Sequence, residues 1–340
     1  MAQYEDLINH NCAPRNSVTI GLYDEKGIRR GLIKIPDSML PPKDEKLYSF
    51  GAISDVHLQS TTAYADFARA LKYFGDNNDI SFVCINGDLT NSGYAEELSE
   101  YSRDVANYIK KPVYAISGNH ESYGGLDIES AIETYTGKPL YYSFVQGNDV
   151  FIMLGIVDEY NIFTSEEMQW LYNTLETNRN KRCFVFQHVF AGKEKEVVCG
   201  NAYGLYHNYC WSNATQTTLF ESLMAHYKNA IFFHGHSHLR FDLQSKNCIY
   251  ANIDKSNGYW SIHIPSITIP RFDADGDGVA DYYTAGSEGY VVDVYENHIV
   301  LRGRDFIAEK FLPIATYCIG TTLQTIEANT FTDSTGTIVI

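Results

Sequence analysis

Phe232–His238 reads FFHGHSH, a short apolar run that leads into three histidines at alternating positions. Side chains two residues apart point the same way on an extended backbone, so His234, His236 and His238 would share one face. Neutral imidazole is the commonest metal ligand among protein side chains. The stretch therefore predicts a metal site whose remaining ligands come from elsewhere in the chain.

Outward from this stretch, short apolar runs alternate with helical patterns, which favours an α/β fold. The runs predict strands at 47–54, 80–86, 113–117, 150–157, 182–187 and 230–233. Helices are predicted between them at 63–74, 95–109 and 164–175. Beyond residue 240, strand patterns dominate at 248–253, 259–269 and 290–302, and they predict a second, more antiparallel sheet.

Five of the predicted strands end in polar residues that can bind metal. The segments are SDVH at 54–57, NGD at 86–88, SGNHE at 117–121, QH at 187–188 and GHSH at 235–238. Open α/β sheets bind ligands in the crevice beyond the carboxyl ends of their strands, so we expect these segments to converge. The candidate metal ligands are Asp55, His57, Asp88, Asn119, His188, His236 and His238.

This donor set indicates two metal ions rather than one. Its members outnumber the ligands of one tetrahedral ion and suit a pair with Asp88 as the bridge. Carboxylate, imidazole and amide oxygen ligands suit Mn, Fe or Zn. Two such ions, roughly 3.5 to 4 Å apart, stabilise the attacking and leaving oxygens of a displacement at phosphorus, and water between them ionises near neutral pH. The predicted reaction is hydrolysis of a phosphate ester by a metal-bridging hydroxide.

The five segments, in this order, resemble the motifs D-x-H, G-D, G-N-H-E/D, H and G-H-x-H of the calcineurin-like metallophosphoesterases. The resemblance covers about residues 47–312 and implies a four-layer αββα sandwich, in which helices flank two mixed β-sheets. It implies one metal site built from Asp55, His57 and His238. It implies a second built from Asn119, His188 and His236, with Asp88 bridging the two.

The resemblance also implies catalytic roles beside the ligand Asn119. His120 would hydrogen-bond the phosphate or, as a general acid, protonate the leaving oxygen. Glu121 would orient His120. Asp88 belongs to the catalytic set as the bridge between the metals. The family motif does not include His234, so we expect a structural role for that residue.

Residues 87–93, which read GDLTNSG, narrow the predicted chemistry within the family. Purple acid phosphatases carry a tyrosine three residues after the G-D aspartate, whereas this chain carries Asn91, which disfavours an iron–tyrosinate enzyme. The segment resembles the cyclic-nucleotide phosphodiesterase branch and favours a small diester, with a monoester still open. The alternatives are a nuclease on the same fold and, from another class, a non-catalytic scaffold.

An acidic segment at 273–284 resembles the calcium-binding loop of an EF-hand. The matching carboxylates are Asp273, Asp275, Asp277 and Asp281. Thr284 stands where such a loop carries its bidentate glutamate, and predicted strands rather than helices flank the segment. A structural calcium site and an acidic surface turn both remain open.

The chain is predicted to divide into a β-hairpin appendage with a linker at 1–46, a metallophosphoesterase domain at 47–312, and a strand pair or tail at 313–340. The aromatic segment 190–211 is predicted to form a long loop over the metal site. Its rings would either pack the loop down or stack on a nucleobase.

The formal net charge of −16 gives no basic surface for nucleic acid or an anionic membrane. A small-molecule phosphate ester is therefore the predicted partner. The 7 cysteines are irregularly spaced, which favours a reduced intracellular protein. The sequence shows neither a signal peptide nor a membrane-spanning run, so we expect a cytoplasmic location.

Overall fold

The computed structural model describes residues 17–23, 29–36, 45–59, 61–157, 163–190, 214–241, 253–255, 258–272, 282–283, 285–321 and 323–326. The predicted calcium ligands Asp273, Asp275, Asp277 and Asp281 lie outside these residues, as does 191–211 of the predicted aromatic loop. Ahead of the main fold, β1 (Ser17–Tyr23) and β2 (Arg29–Pro36) pair as an antiparallel hairpin.

The first large sheet contains β3 (Tyr48–Ile53), β4 (Ile80–Asn86), β5 (Val113–Ile116), β14 (Glu288–Val294), β15 (His298–Asp305) and β16 (Lys310–Gly320). Its strand order is β16-β15-β14-β3-β4-β5. The pairs β3–β4 and β4–β5 are parallel, whereas β14 joins β3 and β15 in antiparallel register. The sheet is therefore mixed, and its parallel half carries three of the polar segments.

The second large sheet contains β6 (Tyr141–Gln146), β7 (Asp149–Leu154), β8 (Cys183–Gln187), β9 (Ala230–His234), β10 (Ile253–Asp254) and β11 (Trp260–His263). Its order is β10-β11-β9-β8-β7-β6, with the four central strands parallel and both edge strands antiparallel. A short pair, β12 (Arg271–Phe272) and β13 (Tyr282–Tyr283), lies apart from both sheets.

Helices cover the outer faces of the two sheets. They are α1 (Thr61–Asp76), α2 (Ala95–Tyr108), α3 (Ile128–Thr136), α4 (Ser165–Thr177) and α5 (Ala214–His226). The first three pack on the β3–β5 half of the first sheet, and the last two pack on the second sheet. In the described part of the chain, no helix combines the length and the apolar character that crossing a membrane would require.

The core between the two sheets is rich in phenylalanine. Phe50 and Phe82 of the first sheet lie with ring centroids 5.1 and 5.0 Å from that of Phe151 in the second sheet, both in edge-to-face geometry. Buried aromatic pairs of this kind add roughly 0.5–1.5 kcal/mol beyond their buried area. The layers follow the order helix, sheet, sheet, helix, which confirms the expected αββα sandwich.

The predicted grouping of the late strands is wrong in one respect. β14 and β15 extend the first sheet through β3, while β10 and β11 join the second sheet through β9, so these four described strands are divided between the two large sheets. The run 259–269 is a strand only at Trp260–His263. Pro265 and Pro270 lack the N–H that a strand ladder needs, so the rest of the run leaves the sheet.

Candidate metal centre

The predicted ligands meet where the carboxyl ends of both sheets come together. Segments 54–57, 86–88 and 117–121 follow β3, β4 and β5 of the first sheet. Segments 187–188 and 235–238 follow β8 and β9 of the second. The backbone N of His236 lies 3.1 Å from both carboxylate oxygens of Asp55, although the two residues are 181 positions apart in the sequence. Convergence of the strand ends therefore brings distant parts of the chain into one site.

Within the described part of the chain, two groups of potential metal-binding atoms are present, and Asp88 belongs to both. The ligand atoms of Asp55, His57, Asp88 and His238 all lie within 4.8 Å of one another. The ligand atoms of Asp88, His188 and His236 satisfy the same limit of 4.8 Å. A carboxylate shared by two clusters of imidazole and carboxylate donors is the geometry expected around a pair of ions.

Short distances within the groups show how closely the donors are packed. Nε2 of His238 lies 3.0 Å from Asp55 Oδ1, and Nε2 of His188 lies 3.0 Å from Asp88 Oδ2. The two Nε2 atoms of His57 and His238 are also 3.0 Å apart. All of these side chains are buried. So many facing lone pairs and charges among buried side chains favour neutralisation by cations.

Asn119 provides the clearest test of whether the donors fit a metal ion. Its Nδ2 donates a hydrogen bond to Tyr123 Oη at 2.7 Å, which fixes the orientation of the amide. Its Oδ1 is buried and accepts no hydrogen bond from the residues that the structure describes. A buried amide oxygen without a donor is costly, and a metal ion satisfies it. The residues present therefore fit divalent cations.

Two of the histidine rings, those of His188 and His238, are held through their other nitrogen by main-chain carbonyl oxygens. His188 Nδ1 lies 2.7 Å from Asn86 O, and His238 Nδ1 lies 3.1 Å from Ile269 O. Carbonyl oxygens only accept, so each Nδ1 carries the hydrogen and the Nε2 lone pair is directed into the site. Supports of this kind set the tautomer and orientation of metal-binding histidines.

The backbone at the site is in the left-handed region, which corrects the extended geometry expected from alternation. The φ angles are +55° at Asp55, +45° at His57, +50° at Asp88, +70° at His236 and +61° at His238. Each such residue costs on the order of 1–3 kcal/mol. β9 ends at His234, so the following histidines converge through tight turns rather than along a strand.

Glycines in the motifs allow the strands to approach each other. A Cβ at Gly118 would overlap the Asp88 carboxylate, and a Cβ at Gly235 would overlap Ser54 Oγ. Glycine is therefore required where segments 117–121 and 235–238 contact the first two segments.

His120 lies beside the two groups, at the open side of the site. Its side chain is 25% exposed, and its Nε2 is 3.9 Å from Asp88 Oδ2. Its Nδ1 lies 2.6 Å from the carbonyl oxygen of Asn91. Burial lowers the pKa of His120, with the charge of Asp88 acting in the opposite direction.

Glu121, which was expected to orient His120, hydrogen-bonds the neighbouring loop. Its carboxylate accepts hydrogen bonds from Thr90 N and Thr90 Oγ1, each at 2.8 Å, and from Gly118 N at 2.6 Å. Glu121 thus connects segment 117–121 to the turn after β4. The residue that contacts the His120 ring is Asn91, through its carbonyl oxygen. Burial and the charge of Asp88 raise the pKa of Glu121 to about 7.

Charge coupling is strong throughout the site. Burial opposes the charged form of His57, but hydrogen bonds and charges from Asp55 and Asp88 outweigh it and raise its pKa to about 9. Burial also opposes ionisation of Asp88, yet the nearby histidines, His188 first, hold its pKa well below the usual range. The carboxylates are thus ionised and able to bind cations.

His234, the first histidine of the opening stretch, lies outside both groups. Its ring is fully buried, with its centroid 5.0 Å from that of Phe190 and 5.4 Å from that of Phe232. Sequence reasoning missed Tyr123 as a partner of Asn119. It also missed Ser266 and Thr268, which hydrogen-bond the backbone of segment 54–57. Only the place of Tyr123, two residues after SGNHE, could have pointed to it.

Comparison with known proteins identifies the family. The sequence model of the calcineurin-like phosphoesterase family matches residues 48–240, a range that contains all the polar segments of the site. The chain belongs to this family. No curated protein matches the sequence.

Solved structures share the fold at low sequence identity. Purple acid phosphatase PPD1 from yellow lupin (Lupinus luteus) seeds superposes with a TM-score of 0.57 at 14% identity, over 89% of this chain and 59% of that chain. GAP50, described as the anchor in the inner membrane complex of Plasmodium, gives 0.56 at 10% identity, over 84% of this chain and 91% of that chain. This chain therefore spans 59% of the length of the lupin phosphatase.

Proposed function

We propose that this chain is a binuclear metal-dependent phosphoesterase that hydrolyses a small phosphodiester or phosphomonoester. The observation that carries the proposal is the pair of donor groups that share Asp88, in which every member is buried except the partly buried His236. Family membership and the resemblance to its motifs support the same chemistry. Mn, Fe and Zn are the ions suited to this mixture of nitrogen and oxygen donors.

We assign one metal to Asp55, His57 and His238, and the other to Asn119, His188 and His236. Asp88 would bridge them, since it belongs to both donor groups. When bound, the metals would supply an activated water and would neutralise charge on the phosphate. The buried carboxylates and the oriented imidazoles would hold the metals at fixed positions relative to the phosphate. Because these side chains are in place before substrate binds, they need not reorganise during the reaction.

His120 is the proposed proton donor or phosphate ligand. The carbonyl oxygen of Asn91 accepts a hydrogen bond from Nδ1–H of His120. Nε2 is therefore the nitrogen that faces the site and would bind or release a proton. The side chain is partly exposed, as a group that contacts substrate must be. Glu121 acts indirectly, because its hydrogen bonds to Thr90 and Gly118 fix the loop that carries His120.

A small diester, such as a cyclic nucleotide, is the substrate class we favour. Asn91 occupies the position at which purple acid phosphatases carry tyrosine, and its side chain Nδ2 donates to Ser92 Oγ at 3.3 Å. The net charge of −16 disfavours a nuclease. A scaffold without activity is the second candidate, since GAP50 is described as an anchor and has a similar fold. The complete donor set argues against that candidate.

Activity assays with added Mn²⁺, Zn²⁺ or Fe²⁺ test the proposal. We expect hydrolysis of bis(4-nitrophenyl) phosphate or 4-nitrophenyl phosphate, and a panel of cyclic nucleotides, nucleotides and phosphosugars then defines the substrate. His120→Ala should lower turnover about 10²–10⁴-fold while the metal content stays unchanged.

His298→Ala provides a matched control, because His298 stacks on Tyr295 at the start of β15, with ring centroids 4.3 Å apart. It should retain full turnover. The absence of hydrolysis of every ester by protein with two metals bound would show that the chain is not such an enzyme.

A further inference from the structure

Segment 263–271 lies outside the range matched by the family, yet it contacts two of the metal-binding turns. It follows β11 and leads into β12. Its residues are buried from His263 through Thr268. None of the predicted metal ligands belongs to it, so its contacts require an explanation of their own.

The first set of contacts holds the turn after β3. Ser266 Oγ donates to the carbonyl oxygen of Asp55 at 2.9 Å, and Thr268 Oγ1 donates to that of Val56 at 2.8 Å. The amide of Ile267 donates to Ser54 O at 3.0 Å. Three consecutive carbonyl groups of this turn therefore have partners in segment 263–271, although the turn contains positive φ angles at Asp55 and His57.

The hydroxyl of Ser266 is fully used. It accepts hydrogen bonds from Thr268 N at 3.2 Å and Ile269 N at 2.9 Å, while its own hydrogen goes to Asp55 O. The serine thus joins residues 268–269 of its own segment to the turn after β3, and alanine at this position would leave the Asp55 carbonyl and two amides without these partners.

The second set of contacts holds the turn after β9. His238 Nδ1 lies 3.1 Å from Ile269 O, and Arg271 N donates to His238 O at 2.8 Å. Ser237 Oγ lies 2.8 Å from Nε2 of the buried His263. The same segment therefore fixes both the backbone and the ring orientation of His238.

The two proposed ligands that these contacts reach directly, Asp55 and His238, belong to the same proposed metal. Asp55, His57 and His238 form its set, whereas Asn119 and His188 are held through Tyr123 and Asn86 instead. We propose that Ser266 and Thr268 are positioning residues that selectively maintain the affinity of the Asp55–His57–His238 metal site. The inference rests on the proposed function.

Metal titration of the purified, metal-free chain with Mn²⁺ tests this inference by calorimetry, independently of turnover. The wild type should bind two ions in separable steps, and His57→Ala identifies the step that belongs to this site. Thr268→Val keeps the side-chain shape and removes the hydroxyl, so it should weaken that step about tenfold to one-hundred-fold and leave the other unchanged. Thr268→Ser restores the hydroxyl and should restore the affinity.

Ser49→Ala is the matched control. Ser49 is a buried serine on β3, and its Oγ donates to Asp293 Oδ1 at 2.6 Å, away from the donor groups. Its loss should lower the melting temperature without changing either binding step. If Thr268→Val does not fold, Ser266→Ala tests the same expectation through the other hydroxyl.

Equal weakening of both steps, or no weakening, in the folded Thr268→Val and Ser266→Ala variants would overturn the inference while the proposed function stands. A wild-type chain that binds no Mn²⁺, Zn²⁺ or Fe²⁺ would overturn the proposed function, and the inference with it.

Discussion

Tyr123 shows how a single hydroxyl can decide the chemistry of a neighbouring ligand. Asn119 has one oxygen and one nitrogen on the same carbon, and only the oxygen binds a metal. Because Tyr123 Oη accepts from Nδ2 at 2.7 Å, the amide is fixed with Oδ1 on the side of the site. The ring of Tyr123 also lies 4.6 Å, centroid to centroid, from that of His120.

Tyr123→Phe should therefore weaken the metal site assigned to Asn119, His188 and His236. Without the acceptor the amide can rotate, and we expect about a tenfold to one-hundred-fold loss of Mn²⁺ affinity in that step. Calorimetric titration measures it. Tyr142→Phe is the control, because it removes a hydroxyl that donates to Ala115 O at 3.0 Å and should leave metal binding intact. Unchanged affinity in Tyr123→Phe would refute this role.

The donors themselves could be predicted from sequence, whereas the residues that support them could not. Asp, His and Asn immediately after predicted strands are recognisable, because few other roles place those residue types together there. Ser266 and Thr268 are ordinary polar residues without diagnostic spacing. Their partners are distant in the sequence: Asp55 lies 211 positions from Ser266, and Val56 lies 212 positions from Thr268. Only the folded chain reveals such pairs.

At the scale of elements, the strands and helices near the site were predictable because each has its own periodic pattern. The pairing of the late strands was not, since it depends on non-local register between β14 and β3 and between β11 and β9. The reason is physical. The pattern of buried residues in a strand can be read from its own sequence, whereas the strand it pairs with depends on the other strands of the sheet.

Helix α4 contains a buried carboxylate whose burial should make the stability of the fold depend on pH. Glu167 is fully buried, and neither of its carboxylate oxygens has a hydrogen-bond partner among the described residues. Its backbone N donates to the capping hydroxyl of Thr164 at 3.0 Å. Burial raises the pKa of Glu167 well above its usual value of 4.5.

The sign of the pH effect follows from that shift. The folded state binds the proton of Glu167 more tightly than the unfolded state, so the free energy of unfolding falls as pH rises above about 4.5 and through the folded pKa. Glu167→Gln removes the titration. It should stabilise the fold by on the order of 1–3 kcal/mol at pH 8, with a smaller gain at pH 5.

Urea denaturation at the two pH values measures this difference. Glu166→Gln is the matched control, because Glu166 is the exposed neighbour on the same helix turn and its substitution should give no pH-dependent gain. An equal effect of Glu167→Gln at both pH values would contradict the assignment of the cost to a buried charge.

At the scale of the whole molecule, the two sheets are joined at both ends of their strands by different means. At the amino ends, Asp149 of the second sheet forms a buried ion pair with Arg182 and accepts a hydrogen bond from Tyr48 Oη of the first sheet, both at 2.6 Å, so the Tyr48 hydroxyl links the two sheets. At the carboxyl ends, the link is the shared donor set of the proposed metals. Without metal, that end contains buried charges and strained backbone.

Bound metal should therefore stabilise the sandwich as a whole. An ion that binds only the folded chain adds about 2.7 kcal/mol per site at one hundred times its Kd. We expect Mn²⁺ to raise the melting temperature of metal-free protein by several degrees, and EDTA to reverse the rise. Differential scanning calorimetry measures both.

His188→Ala, which lacks one ligand of one site, should show a smaller rise than the wild type. A wild-type melting temperature that does not respond to Mn²⁺ or EDTA would contradict the proposed coupling between metal binding and the fold.

The left-handed turns at the ligands have a consequence for laboratory evolution. Glycine tolerates positive φ without the steric cost that aspartate and histidine bear there. A screen that rewards heat resistance alone, without added metal, would favour glycine at Asp55, His57, Asp88, His236 and His238. The selected variants would be more heat-resistant but would lack proposed metal ligands. Directed evolution of this chain must therefore select for turnover at every round.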